Sequence, residues 1–341
     1  MKHLRPMTAD ALRALTAPRE GETRLGERMQ VLGVKGAAPA GARVALLGVP
    51  EDIGVRANGG RPGARRMWRT MLPRLANMQS NAFLDGARIA VAGRVEVRDL
   101  QKQARRIDEH SGDAAARAAA LRKLRALCAQ VDERVAGVVE SLRRAGLVPI
   151  VIGGGHNNAY GVLAGCARAA GGPVSCANID LHADLRPREG RHSGNGFTYA
   201  RADGHLARYA IVGLAEAYAT QAILEAIDSD TETVAFTFES LLRGRMTLPH
   251  LAQSAVAHVG RGPATLEIDL DAVAQAPASA AAASGFTAAD VRALACQIAA
   301  GIELHAAHIA EGAPELGPWP PEMLGKLVAE LVRDIAASVA R

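Results

Sequence analysis

Three stretches of this chain carry residues able to hold metal ions or move protons: Gly153-Gly154-Gly155-His156, Asp180-Leu181-His182-Ala183-Asp184 and Asp269-Leu270-Asp271. Together they supply two His and four Asp, enough donors for a pair of divalent cations. Asp180, His182 and Asp184 alternate along an extended segment, which turns all three side chains to one side. Asp269 and Asp271 repeat that spacing. His156 follows a glycine turn, where backbone can approach a site closely. A carboxylate-rich set with two imidazoles suits Mn²⁺, with Zn²⁺, Co²⁺, Fe²⁺ or Ni²⁺ as alternatives. Cysteine is absent from the motifs, which argues against a structural zinc. Two such ions could share a water, lower its pKa and present hydroxide to an electrophilic carbon. Each stretch alone has a plainer reading: a phosphate-cradling turn, a core or capping histidine, a pair of turn aspartates. The glycine turn lacks both the G-x-G-x-x-G spacing and a following Lys-Ser/Thr.

The elements that must position these residues alternate along the chain. Val44–Pro50 and Ile89–Val97 read as strands. Ala114–Arg144 is a long helical pattern with apolar residues at three- and four-residue spacing, stopped by Gly146. Leu147–Ile152 is apolar without alternation, the mark of a parallel strand buried on both faces. A helix over Asn157–Ala170 and a strand over Val174–Ile179 follow. Strands at Ala210–Leu214, Val234–Phe238, Leu266–Leu270 and Ile302–Ala310 come next. Thr287 and Asp290 are placed for a capping box on a helix to Ala300, and a final helix ends near Arg341. This alternation predicts a parallel sheet with helices on both faces. In such folds sites form outside the carboxyl ends of strands, where all three motifs fall. Residues 1–40 read as an N-terminal extension, and residues 41–341 as a single catalytic domain.

Composition narrows the classes further. The 341 residues are 49% hydrophobic and 22% charged, ordinary for a globular protein. The net charge of +5 comes from dispersed arginines, and aromatics are only 3%. That favours a solvated surface over a nucleic-acid partner. No apolar run approaches the ~18 residues of a membrane span, and the N-terminus has no signal core. The four cysteines form no C-x-x-C pair and read as reduced thiols of a cytoplasmic protein.

These motifs resemble the ureohydrolase superfamily of arginases, agmatinases and formiminoglutamases. The resemblance covers about residues 43–335, including Gly48-Val49-Pro50-Glu51-Asp52 and Asn58–Ala64. It implies a three-layer α/β/α sandwich with a mostly parallel eight-stranded sheet, two Mn²⁺ per chain, and a homo-oligomer, a trimer or hexamer. One ion would sit on His156, Asp180, Asp184 and Asp269, the other on Asp180, His182, Asp269 and Asp271. Asp180 and Asp269 would bridge them. Arg191–Phe197 aligns with the substrate loop, bringing Ser193, Asn195 and Phe197 into consideration as substrate contacts. Arginases and agmatinases carry His where this chain has Phe197, whereas formiminoglutamases resemble it there and in Arg186. Arg186 reads either as a bidentate partner for a substrate carboxylate or as a salt bridge steadying its loop. His192 reads as a plain loop residue or as a proton-transfer group. Core packing suits His305 and His308 better than ligation.

The resemblance implies hydrolysis of a linear amidine, with Asp184 orienting the nucleophile and Glu311 holding the amidinium. N-formimino-L-glutamate is the nearest substrate, giving glutamate and formamide in histidine degradation. Arginine, agmatine or another guanidino compound would keep the chemistry and release urea. A metal-binding subunit without turnover is the reading of a different class. Departures from the family pattern, Leu181, Ala274-Gln275 and Ala313 among them, remove no metal ligand but place the substrate rim, particularly Pro277–Phe286, outside any well-defined subfamily.

Overall fold

The computed structural model describes residues 1–339, and the expected helix end near Arg341 lies outside them. Among the described residues the chain builds one ten-stranded sheet. In chain order the strands are β1 (Leu4–Pro6), β2 (Gln30–Val31), β3 (Val44–Gly48), β4 (Ile89–Val95) and β5 (Val148–Ile152). They continue as β6 (Val174–Ile179), β7 (Leu206–Leu214), β8 (Thr233–Thr237), β9 (Pro263–Asp269) and β10 (Glu303–Ala310). The order across the sheet is β1-β4-β3-β5-β10-β9-β6-β7-β8, with β2 also paired to β4. Every pairing is parallel except β1 with β4.

The expected eight strands are therefore ten, and the extra pair comes from residues 1–40. β1 and β2 have three and two residues, too short to show a period, yet they fill the sheet edge beyond β4. Leu12, Leu25 and Met29 from the same stretch are buried in the core.

Alternation along the buried strands divides the core into two layers. Val44, Leu46, Ile150 and Ile152 pack with the helices Met67–Ala76, Leu248–Val259, Ala288–Gly301 and Pro321–Val339. Ala45, Leu47 and Val151 pack on the other face with Ala114–Arg144 and Asn158–Ala170. This is a three-layer α/β/α sandwich. The long helix starts at Asp113, whose carboxylate accepts from Ala116 N at 2.8 Å, and Gly146 beyond its end has φ 79°. The Thr287–Asp290 capping box forms as the sequence requires. Gly161 and Gly165 let Asn158–Ala170 approach the long helix closely. A Cβ on Gly161 would meet Val135 Cβ at 2.8 Å. That contact fixes the helix that begins directly after His156.

Candidate metal and substrate site

The turn after β5 depends on glycine. Gly153 and Gly154 have φ of 81° and 75°, left-handed backbone that a side chain disfavours. A Cβ on Gly154 would also lie 2.2 Å from Asn158 Nδ2 and 2.8 Å from Glu51 Oε1. Glu51 pins this turn from beneath. Fully buried, it accepts from Gly155 N at 3.0 Å, Asn158 Nδ2 at 2.7 Å and Ile53 N at 2.6 Å. Burial pushes its pKa up, against the pull of those donors.

Two matching aspartate turns face His156 from the ends of β6 and β9. Asp180 Oδ1 accepts from His182 N at 2.7 Å, and Asp269 Oδ1 accepts from Asp271 N at 2.8 Å. Asp180 Oδ2 accepts from Asn178 Nδ2 at 3.0 Å, and Tyr209 Oη donates to Ala183 O at 3.0 Å. Asp184 and Glu311 are non-glycine residues with φ of 49° and 62°. Such strain persists where surrounding structure imposes it, often at functional sites.

These turns bring the six expected ligands together. His156 Nδ1 lies 3.2 Å from Asp180 Oδ2, 3.1 Å from Asp184 Oδ2 and 3.1 Å from Asp269 Oδ2. His182 Nδ1 lies 3.1 Å from Asp271 Oδ2 and 3.5 Å from Asp180 Oδ1. The donors form two groups, each within 4.8 Å: His156, Asp180, Asp184 and Asp269, then Asp180, His182 and Asp271. Asp180 is common to both. Asp269, expected to bridge, joins only the first.

The arrangement suits divalent cations on its own chemistry. Both ring nitrogens of His156 and Oδ1 of Asp271 are buried without hydrogen-bond partners. Burial would lower the His156 pKa, yet Asp180, Asp184, Asp269 and Glu267 together hold it well above its ordinary value. His182 is likewise desolvated, but Asp180 and Asp271 raise it to about 12. Burial, then the neighbouring Asp269, pushes the Asp271 carboxyl up. Carboxylates crowded out of water need a counter-charge, and the all-oxygen-and-imidazole donor set fits Mn²⁺ or a similar ion.

Above the donors opens a cavity of about 520 Å³. His182, Asp184, Asp269 and Asp271 form part of its lining, with Asn58, Arg186, Ser193, Tyr218, Ser279 and Glu311 around them. A larger depression of about 920 Å³ beside Phe83 and Arg333 contains no histidine and lies apart from this chemistry. Arg186 donates to Asn58 Oδ1 at 2.7 Å and pairs with Glu189 at 3.1 Å. Ser193 Oγ accepts from Asn58 Nδ2 at 3.2 Å. Glu311 Oε1 accepts from His156 N at 2.7 Å, and Ser279 Oγ donates to its other oxygen. Burial, then Asp269, raises the Glu311 pKa to about 8. The Tyr218 ring stacks on His182 at 5.2 Å.

Besides His156 and Asp180, which lie beneath it, three residues expected to meet substrate or move protons do not line the cavity. Phe197 is fully buried, stacked on Tyr209 at 4.3 Å and edge-on to His156 at 5.5 Å, so it backs His156 and does not reach the cavity. Asn195 is buried and spends its amide on Gly190 O at 2.9 Å and its oxygen on Arg191 and His192 N. His192 accepts from Gly194 N at Nδ1, 3.1 Å, while Nε2 faces Asn195 and Glu189. Burial, then Arg125 and Arg186, lowers its pKa to about 4. It is a neutral cap of the loop with no nitrogen turned toward the cavity. Buried Arg191 ties the loop to Asp132 at 2.8 Å and Asn157 O at 3.0 Å.

Sequence reasoning did not assign Glu51, Ser279, Tyr218 or Glu267. Glu51 lay in a recognised stretch without a role. Ser279 sits in an alanine-rich segment that offers no pattern.

The fold and these donors define an α/β/α protein with a buried carboxylate–imidazole cluster able to hold divalent cations. The model of the arginase family matches residues 42–337, and the chain belongs to that family. It is 31% identical over 330 residues to a formimidoylglutamase of Aeromonas hydrophila, covering 93% of this chain and 94% of that one. A formimidoylglutamase of Chromobacterium violaceum is 31% identical over 285 residues, 80% of this chain and 81% of its own. The fold is shared with the Mn²⁺-bound formiminoglutamase of Trypanosoma cruzi at TM-score 0.71 and 18% identity, covering 94% of this chain and 99% of that one. It is shared with the Bacillus subtilis formimidoylglutamase at TM-score 0.73 and 14% identity, covering 95% and 94%.

Proposed function

We propose that this arginase-family hydrolase cleaves the amidine C–N bond of N-formimino-L-glutamate, releasing L-glutamate and formamide. The observation that carries the reading is the convergence of the six donors beneath a cavity walled by Arg186 and Glu311. His156, Asp180, Asp184 and Asp269 would hold one Mn²⁺. Asp180, His182 and Asp271 would hold a second, with Asp269 completing the bridge. The pair would supply an activated water and stabilise developing negative charge. Asp184 faces the cavity and would orient that water by accepting its hydrogen bond. Glu311, whose carboxyl neighbouring cations would favour in its ionised form, would receive the cationic amidinium through charge-assisted hydrogen bonds. Arg186 stands exposed on the same wall, where its fork suits the substrate's carboxylates. The formimidoylglutamases at 31% identity support this substrate above a guanidino compound. We place the enzyme in the cytoplasm, in keeping with its free cysteines, and as a trimer or hexamer, in keeping with the family resemblance.

The test is metal content after purification, then formamide, ammonia and urea assays across amidines and guanidines with added Mn²⁺. Two metals per chain and formamide from formiminoglutamate are expected. Urea from a guanidino compound would move the substrate, and no bound metal would overturn the reading.

A further inference from the structure

Behind His156, away from the carboxylates, lies a second buried layer. Glu267 on β9 and His308 on β10 stand opposite each other in the strand register. Both are fully buried. His308 Nδ1 lies 2.7 Å from Glu267 Oε2, and its Nε2 lies 3.3 Å from Gly153 O. The same Glu267 oxygen is 3.5 Å from His156 Nε2. That distance leaves Nε2 without a hydrogen bond, and Glu267 Oε1 is also buried without one. A few tenths of an ångström would close the gap between His156 Nε2 and Glu267 Oε2, the oxygen that His308 Nδ1 also meets. A buried carboxylate is costly unless it is paired and hydrogen-bonded, and the flanking imidazoles are the partners within its reach.

We propose that Glu267, clamped by His308, is a positioning residue for His156. It accepts a hydrogen bond from His156 Nε2–H, which keeps the proton on Nε2 and leaves the lone pair on Nδ1, the nitrogen aimed at Asp180, Asp184 and Asp269. His308 keeps the carboxylate on that line, and its other ring nitrogen stands 3.3 Å from Gly153 O in the turn that presents His156. The inference rests on His156 being a metal ligand. Residues behind a ligating histidine fix its tautomer and orientation, and their loss commonly weakens metal affinity ~10- to 100-fold.

The experiment is Mn²⁺ titration by calorimetry of chelator-stripped wild type, Glu267→Gln and His308→Gln. Glu267→Gln is expected to weaken binding ~10- to 100-fold. His308→Gln should weaken it less, and the double variant should be no weaker than Glu267→Gln alone. Unchanged affinity in a folded Glu267→Gln protein, or additive losses in the double variant, would overturn the proposal. Should the variants fail to fold, ¹⁵N-histidine spectra of Zn²⁺-loaded wild type decide it. The His156 proton is expected on Nε2, and a proton on Nδ1 overturns the proposal. Wild type that binds neither Mn²⁺ nor Zn²⁺ would instead overturn the metal centre itself.

Discussion

Arg186 shows how one side chain can be read two ways until its partners are known. It has both an ion pair with Glu189 and a bond to Asn58, yet about half of its side chain stays exposed on the cavity wall. An exposed pair of this kind contributes little stability, typically ~0–1 kcal/mol. A loop brace alone is therefore a weak use of the residue. Arg186→Gln should raise KM for formiminoglutamate at least ~10-fold, the loss of one charge-assisted pair of ~1.5–3 kcal/mol, with a smaller change in kcat. The thermal midpoint should hardly move. Equal losses in Glu189→Gln would show that the loop's geometry, and not the guanidinium, carries the effect.

The loop between β6 and β7 teaches a similar lesson at the scale of the element. The candidate metal motifs were legible from residue type and spacing beyond an apolar strand, but turns, and not the extended run expected, bring their side chains together: Asp180 Oδ1 accepts from His182 N, Asp184 has φ 49°, and Leu270–Ala272 is a 3₁₀ turn. The loop that follows has no period. Its shape comes from a short 3₁₀ turn, Ser193–Asn195, capped by His192 and anchored by Arg191 on Asp132. That turn carries Phe197 into the core, which no spacing in the sequence could reveal. β1 and β2 were illegible for the same reason. Three and two residues carry no alternation, and their pairing with β4 is a long-range choice. The Glu267–His308 pair was half visible: His308 read as core, but its partner lies on another strand.

His192 makes the loop sensitive to acid. Its folded pKa, lowered to about 4, lies below the ordinary 6.5. The folded loop therefore resists protonation. Its stability is complete above about pH 6.5 and is lost as pH falls toward 4. Protection factors for residues 186–195 in ion-free protein, corrected for intrinsic exchange, should fall across that window. His192→Gln should flatten the fall. An equal fall in both proteins would assign it to another group.

For the whole molecule, the centre joins chain segments that are far apart in sequence: the turn after β5, the ends of β6 and β9, and, through Glu311, the end of β10. Without cations, Asp180, Asp184, Asp269 and Asp271 gather around only two imidazoles. Ion binding should therefore stabilise the fold as a unit. A ligand at 100 times its dissociation constant adds about 2.7 kcal/mol per site. At about 2–4 °C per kcal/mol for domains somewhat smaller than this one, the midpoint should rise by several degrees when Mn²⁺ is returned to stripped protein. Asp271→Asn separates the two contributions. Its ionised carboxylate is disfavoured by burial and by Asp269, so the ion-free variant should melt no lower than ion-free wild type. Its Mn²⁺-dependent gain should nevertheless shrink, because the second donor group has lost a charged oxygen. Scanning calorimetry of both proteins with and without Mn²⁺ reads this directly. A variant that melts lower without metal and gains as much with it would mean Asp271 serves the fold and not the ion.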